Sequence, residues 1–192
     1  MLNKPYFQKI RQELLSYADK RREVIKVAGD TQQHSKKAIF ALQRDDVSEA
    51  KRHLEEAKSL LAALLKQYRS DTALFDEGAF KAALEEYGEA TLFHAFHEGK
   101  TMDKIKDFDV SADAFVSALC DVPGELYRYA IKSATEKKFK EVKRCYEVAE
   151  EIIGELVDMD LTGYNRNKFD QAKQALHKLE QVVYEVSLRN NQ

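Results

Sequence analysis

Two short stretches of the chain carry acids in settings that suit chemistry better than solvation. In Leu84-Glu85-Glu86-Tyr87-Gly88-Glu89-Ala90-Thr91-Leu92-Phe93, Glu86 and Glu89 stand three residues apart, the spacing that puts two side chains on one face of a helix. That face otherwise carries Ala82, Ala83, Ala90, Phe93 and Phe96 or His97. A carboxylate pair on an apolar stripe points inward, where an uncompensated charge is costly, so it needs a proton, a basic partner or a metal. The small Ala and Gly neighbours leave room for a ligand or for a close helix approach. The second pair is Asp121 and Glu125, four apart in Ala118-Leu119-Cys120-Asp121-Val122-Pro123-Gly124-Glu125-Leu126-Tyr127-Arg128. Pro123-Gly124 interrupts this segment against helix propensity, and the proline leaves the carbonyl of Leu119 without its usual donor. Local violations of this kind collect at functional sites. The plainer alternative is a helix that ends near Cys120, with Asp121 capping the next.

Four carboxylates from two inward faces, brought together by helix packing, make a hard, oxygen-rich site. Such ligands suit Mg²⁺, with Mn²⁺ as a substitute, better than zinc or copper. A carboxylate-held Mg²⁺ suits phosphodiester hydrolysis, because it orients a water, lowers its pKa and offsets charge on the phosphoryl oxygens. The other all-helical carboxylate site, the ferritin-like di-iron centre, needs Glu-x-x-His from two helices. None of His34, His53, His94, His97 or His177 has a glutamate three residues before it, so that centre is set aside. His94 and His97 read as packing or surface histidines, and Cys120 and Cys145 lack the neighbouring base that a nucleophile needs. Glu55-Glu56 and Glu150-Glu151 read as solvated faces. Basic residues gather at Lys20-Arg21-Arg22, Lys36-Lys37, Lys51-Arg52 and from Lys137 to Arg144. On long helices lining a groove they would meet phosphates without reading sequence. Lys36, Lys37 and Arg128 are the expected phosphate contacts.

Helices must position these groups. Only seven glycines and two prolines occur in 192 residues, too few for the turns of a sandwich, barrel or many-stranded sheet. No Gly-x-Gly-x-x-Gly and no Gly-Lys-Ser/Thr is present, which argues against Rossmann and P-loop nucleotide sites. A net charge of −2 means that a polyanion would be met by a local patch. Two cysteines without paired spacing suggest neither disulfides nor structural zinc. The longest strongly apolar run, Leu60 to Leu65, is far below the ~20 residues that cross a bilayer. The expectation is a soluble, cytoplasmic protein with no membrane partner.

Apolar residues at Ile10, Leu14, Tyr17, Val24, Ala28, Ala38, Ile39 and Leu42 form one stripe and predict a long first helix from Lys4 to about Gln43. Its length suggests that it crosses a neighbouring subunit as well as its own bundle. Asp45-Asp46 predicts a stop and an N-cap, followed by helices over Val47–Arg69 and from Ala79 to about Phe96, the latter closed by Gly99. Lys100–Asp109 reads as a connection with room for one helical turn. Ser111 caps a helix to about Thr135, and two more span Phe139–Asp158 and Tyr164–Leu188. The fold class is therefore all-α: six or seven helices in one unit over residues 1–192.

The segment from Leu84 to Ala90, with Phe93 and Phe96, resembles the acidic helix of the translin and translin-associated factor X (TRAX) family. Asp121-Val122-Pro123-Gly124-Glu125-Leu126-Tyr127-Arg128 with Ser133 resembles that family's Asp-x-x-Gly-Glu-Leu segment, although Pro123 departs from its usual residue. Ser35-Lys36-Lys37-Ala38-Ile39-Phe40 and Val182 to Arg189 also match, so the likeness runs from about Asp19 to Asn190. The resemblance implies a helical bundle assembling into a hollow homo-oligomer, an octamer, with active residues facing inward. The translin branch binds RNA and single-stranded DNA and lacks the full acidic set; the factor X branch carries it and is the catalytic part of a Mg²⁺-dependent endoribonuclease. Glu86, Glu89, Asp121 and Glu125 all keep acidic identities, which places this chain with the catalytic branch. The expectation is thus an endoribonuclease acting on single-stranded RNA, with those four acids as catalytic and metal-binding residues. The alternative is an oligomeric binder of RNA or single-stranded DNA without catalysis.

Overall fold

The computed structural model describes residues 1–190, and the last two of the 192 lie outside them. Six α-helices follow in order: α1 (Lys4–Leu42), α2 (Val47–Gln67), α3 (Gly78–His97), α4 (Ala112–Thr135), α5 (Phe139–Val157) and α6 (Gly163–Asn190). No strand occurs among the described residues. α1 lies against α2 and α3, α3 against α4, and α4 against α5 and α6, so α3 and α4 form the middle of the molecule. One hydrophobic core runs through all six helices.

Asn3 caps α1 by accepting from the Tyr6 N–H, and Pro5 sits in the first turn, where proline costs nothing. The buried stripe of α1 is Val24, Ala28, Thr31, Ser35, Ala38, Ile39, Ala41 and Leu42. Its two polar members donate to their own helix, Thr31 to the Val27 carbonyl and Ser35 to that of Thr31, so burying them leaves no donor unmet. The N-terminal part of the same helix is different. At ~1.5 Å per residue, α1 runs beyond its own bundle, and Leu14 and Leu15 are 64% and 60% exposed. Leu14 and Tyr17, expected on the buried stripe, are therefore exposed, and Ile10 is only half-buried.

The α1–α2 turn follows the expected chemistry. Asp45 adopts the left-handed conformation (φ 64°) that ends many helices, and Asp46 caps α2 by accepting from the Glu49 N–H at 2.9 Å. The Tyr129 hydroxyl (2.6 Å), Lys132 and Lys138 hold the Asp45 carboxylate. Burial works to raise this acid, but those donors outweigh it and hold it down at about 2.

Two local differences from the sequence expectation appear, and one open alternative is decided. A 3₁₀ turn over Thr72–Asp76 precedes α3, held by the fully buried Leu74. Lys100–Asp109 forms no helical turn; Ile105 is buried, and Asp107 accepts from the Tyr87 hydroxyl at 2.8 Å and pairs with Lys58 at 2.7 Å. α4 runs unbroken through Pro123, as the helix expected from Ser111 to about Thr135 does, so the alternative start at Asp121 is not taken. Long-range packing on α3, α5 and α6 outweighs the bond that proline removes.

The α3–α4 crossing depends on Gly88. A Cβ at this position would lie 2.8 Å from the Ala118 Cβ and 2.9 Å from the Ile105 Cδ1, well inside contact distance. Of the two uses the sequence left open for the small residues, the structure takes the close helix approach. Gly88→Ala is therefore expected to lower stability by about 1–3 kcal/mol, read as a fall of several degrees in the circular-dichroism melting midpoint. An unchanged midpoint would show that the crossing has slack.

Candidate functional site

The Gly88–Ala118 contact brings the two acidic segments side by side. Glu89 follows the contact glycine directly, and Asp121 and Glu125 follow Ala118 along α4, within two turns. Glu89 is 8% exposed. Burial first, and then the charges of Asp121, Glu125 and Glu86, push its carboxyl up to about 9, with Lys168 pulling the other way. All four expected acids therefore share one electrostatic neighbourhood, and the one at its centre holds a proton at neutral pH.

The other three acids are drawn toward cations and amides. Glu86, on the rim of α3, pairs with Lys36 of α1 at 3.2 Å. Both oxygens of Glu125 lie 3.0 Å from the Arg128 guanidinium one turn ahead. The Gln43 amide, at the end of α1, donates to the same side chain at 2.8 Å and to the Glu125 carbonyl at 2.9 Å. Asp121 accepts from Lys168 of α6 at 2.6 Å, and Lys168 also reaches Glu85 at 3.0 Å. Burial disfavours the Lys168 ammonium, but Asp121 and Glu85 outweigh it and hold its pKa well above the ordinary lysine value.

Lys168, Glu85 and Gln43 were not among the residues singled out from the sequence. Lys168 precedes the buried Phe169 and lies three residues after Asn165, itself buried, whose amide donates to the Asp113 side chain at 2.7 Å and so ties α6 to the start of α4. That register swings Lys168 over the acids. Its only local signal is a lysine beside a buried stripe. Of the expected phosphate contacts, Lys36 and Arg128 instead lie on the acids. Lys37 is exposed on α1, on the same open face as Gly29, Gln32, Gln33, Lys36 and Phe40.

The remaining candidates fall where the sequence put them. His97 is packed among Phe93, Phe96 and Tyr129, and burial lowers it to about 4, so it is a neutral packing residue. The Cys120 and Cys145 thiols are buried and pushed up to about 11 and 12, the opposite of an activated nucleophile.

The donor set around Glu89 consists of carboxylate oxygens whose charges add to burial in suppressing its ionisation. That excess of negative potential is what a small hard cation offsets. In chemistry the residues fit Mg²⁺. In placement, among the described residues, no three of His, Cys, Asp or Glu are gathered as a group that could hold a metal ion. The acids would have to release their present partners to hold one.

Comparison with known proteins gives the family and the fold. The sequence model of the Translin family matches residues 19–190. The chain belongs to the translin family. AfC3PO is 26% identical to this translin-family chain, covering 97% of it and 100% of AfC3PO, with a TM-score of 0.88. AfC3PO in complex with duplex RNA superposes with a TM-score of 0.84 over 96% of this chain and 97% of that one, at 26% identity. Apo-NeC3PO, at 18% identity, shares the fold, with a TM-score of 0.86 over 97% and 98% of the two chains. No curated protein matches.

The raised Glu89 predicts a pH signature. An unfolded glutamate loses its proton near 4.5, whereas the folded one keeps it to about 9. The stability this group supplies is complete below pH 4.5 and is lost progressively as pH rises toward 9. Glu89→Gln, a neutral isostere, is expected to match the parent at pH 5 and to melt about 5 °C higher at pH 8 without divalent cations. Parallel pH profiles for the two proteins would show that Glu89 ionises normally.

Proposed function

We propose that this translin-family protein is a Mg²⁺-dependent endoribonuclease cleaving single-stranded RNA, acting as a homo-oligomer. The observation that carries the reading is the convergence of Glu86 and Glu89 from α3 with Asp121 and Glu125 from α4 upon one buried, proton-holding carboxyl. The relation to AfC3PO, whose structure with duplex RNA is known, supports RNA as the partner. In this reading Glu86, Glu89, Asp121 and Glu125 hold the cation, and Mn²⁺ can replace it. When bound, the ion supplies charge neutralisation at the phosphate and a more acidic water.

The chain's own residues do the rest. One of the four acids accepts the proton of the attacking water as its oxygen bonds to phosphorus and the phosphorus–oxygen bond to the leaving ribose breaks. Lys36 and Arg128, which now pair with Glu86 and Glu125, would be free to meet phosphate oxygens if those acids held the cation. Lys168, which reaches Glu85 as well as Asp121, would keep Glu85 compensated once Asp121 turned to the cation. The binder without catalysis is the second reading, favoured by one observation: as placed, Lys36, Lys168 and Arg128 occupy the oxygens a metal would need.

Self-association rests on α1. Leu14 and Leu15, with Tyr6 and Phe7 a few turns earlier, are exposed on a helix that outruns its own bundle, and apolar side chains at helical spacing in water call for a covering surface. Leu14→Glu with Leu15→Glu is expected to reduce the molar mass measured by light scattering after gel filtration, while the helical circular-dichroism signal is kept. A parent that is monomeric would overturn the oligomer.

Catalysis is tested with a labelled single-stranded RNA. Cleavage is expected with Mg²⁺, to be lost in EDTA, and to fall at least 100-fold in Glu89→Ala and in Glu125→Ala, in line with loss of a charge-stabilising or proton-transferring group. Cleavage that survives chelation or both substitutions would overturn the metal mechanism. Binding without cleavage in the parent would establish the second reading.

A further inference from the structure

One large aromatic side chain is out of place. Phe40 is 56% exposed in the C-terminal half of α1, where its neighbours Ala38, Ile39, Ala41 and Leu42 are all buried. It stands on the open, solvent-facing side of α1 with Gly29, Gln32, Gln33, Lys36 and Lys37. The Arg44 guanidinium lies over its ring, 4.4 Å from the centroid, and is itself held by Glu49 at 2.9 Å. The ring is thus steadied from one side by a tethered cation, while much of it stays open to solvent.

Its position relative to the acids is specific. Lys36, one turn before Phe40, touches Glu86, and Gln43, just under one turn after it, touches Glu125. Phe40 therefore stands on the rim of the acidic site, between the two α1 residues that contact its two acidic helices. A flat apolar ring flanked by Lys36, Lys37 and Arg44 combines a stacking surface with positive charge. That is the combination by which proteins hold unpaired nucleotides without reading their identity. An apolar partner protein would find charge on three sides of the ring, which argues for a polyanion that also carries flat apolar groups.

We infer that Phe40 is a base-stacking platform, which seats one unpaired base of a single-stranded nucleic acid on α1 so that the adjoining phosphodiester lies over the acids of α3 and α4. The inference rests on the nucleic-acid reading above and adds a positioning residue to it. Phe40 touches a base and not the reacting atoms.

The chain contains no tryptophan, so Phe40→Trp places a single fluorophore at the position. The probes are a 20-nucleotide 2′-O-methyl uridine strand and an abasic strand of equal length, both in EDTA. Phe40→Trp is expected to bind the base-bearing strand as the parent does, with its indole emission quenched by that strand and not by the abasic one. Phe40→Ala is expected to weaken the base-bearing strand about 10- to 100-fold, the loss of one stacked base, and to leave abasic binding and the circular-dichroism spectrum unchanged. If the parent binds the base-bearing strand and the indole emission does not change, the platform is overturned while the nucleic-acid reading stands. Equal weakening toward both strands would overturn it too, as would a changed molar mass of Phe40→Ala in light scattering, because the ring would then be covering a second copy of the chain. If the parent binds neither strand, the nucleic-acid reading fails and this proposal fails with it.

Discussion

The contact of Gly88 with Ala118 governs the rest of the molecule. With no Cβ on one helix and a single methyl on the other, α3 and α4 cross more closely than larger residues would allow. Everything of chemical interest follows that contact along the two helices. Glu89 is buried because its neighbour in sequence is pressed against α4, and Asp121 and Glu125 reach it because they follow Ala118 on the same helix. Ile105 closes the crossing from the loop side, and the Tyr87–Asp107–Lys58 chain ties that loop down.

The site built on this crossing is under electrostatic tension that the fold distributes over four helices. Its outer acids are compensated from α1 by Lys36 and Gln43, from α6 by Lys168, and from within α4 by Arg128. The innermost acid has no such partner among the described residues and keeps its proton instead. A carboxyl kept neutral first by burial and then by three neighbouring acids is a poor device for stability. It is a sound one for a cation, whose arrival would relieve the repulsion and the proton together.

α1 links this site to the outside. Its buried stripe anchors it to α2 and α3, its N-terminal half carries exposed apolar residues, and its C-terminal end presents Lys36, Phe40 and, just beyond it, Gln43. One helix therefore serves packing, the proposed self-association and the edge of the acidic site, which accounts for a length that the bundle alone does not need.

Much of this was legible in the residues themselves. The scarcity of glycine and proline and the three-and-four spacing of apolar residues led to the helices, with ends within two residues of those observed, because caps and stripes are local physics. The acids stood out for the same reason: Glu86 with Glu89, and Asp121 with Glu125, break the apolar pattern of their own helices. Other features depended on distant contacts. Whether Pro123 splits α4 was decided by packing on three neighbouring helices, and the burial of Leu74 and Ile105 shaped two connections that carry no strong local signal. The partners of the acids came from elsewhere still, since Lys168 lies 47 residues from Asp121 and Gln43 lies 82 from Glu125. No rule of spacing relates residues so far apart, and only the register of α1 and α6 against the α3–α4 pair brings them to the site.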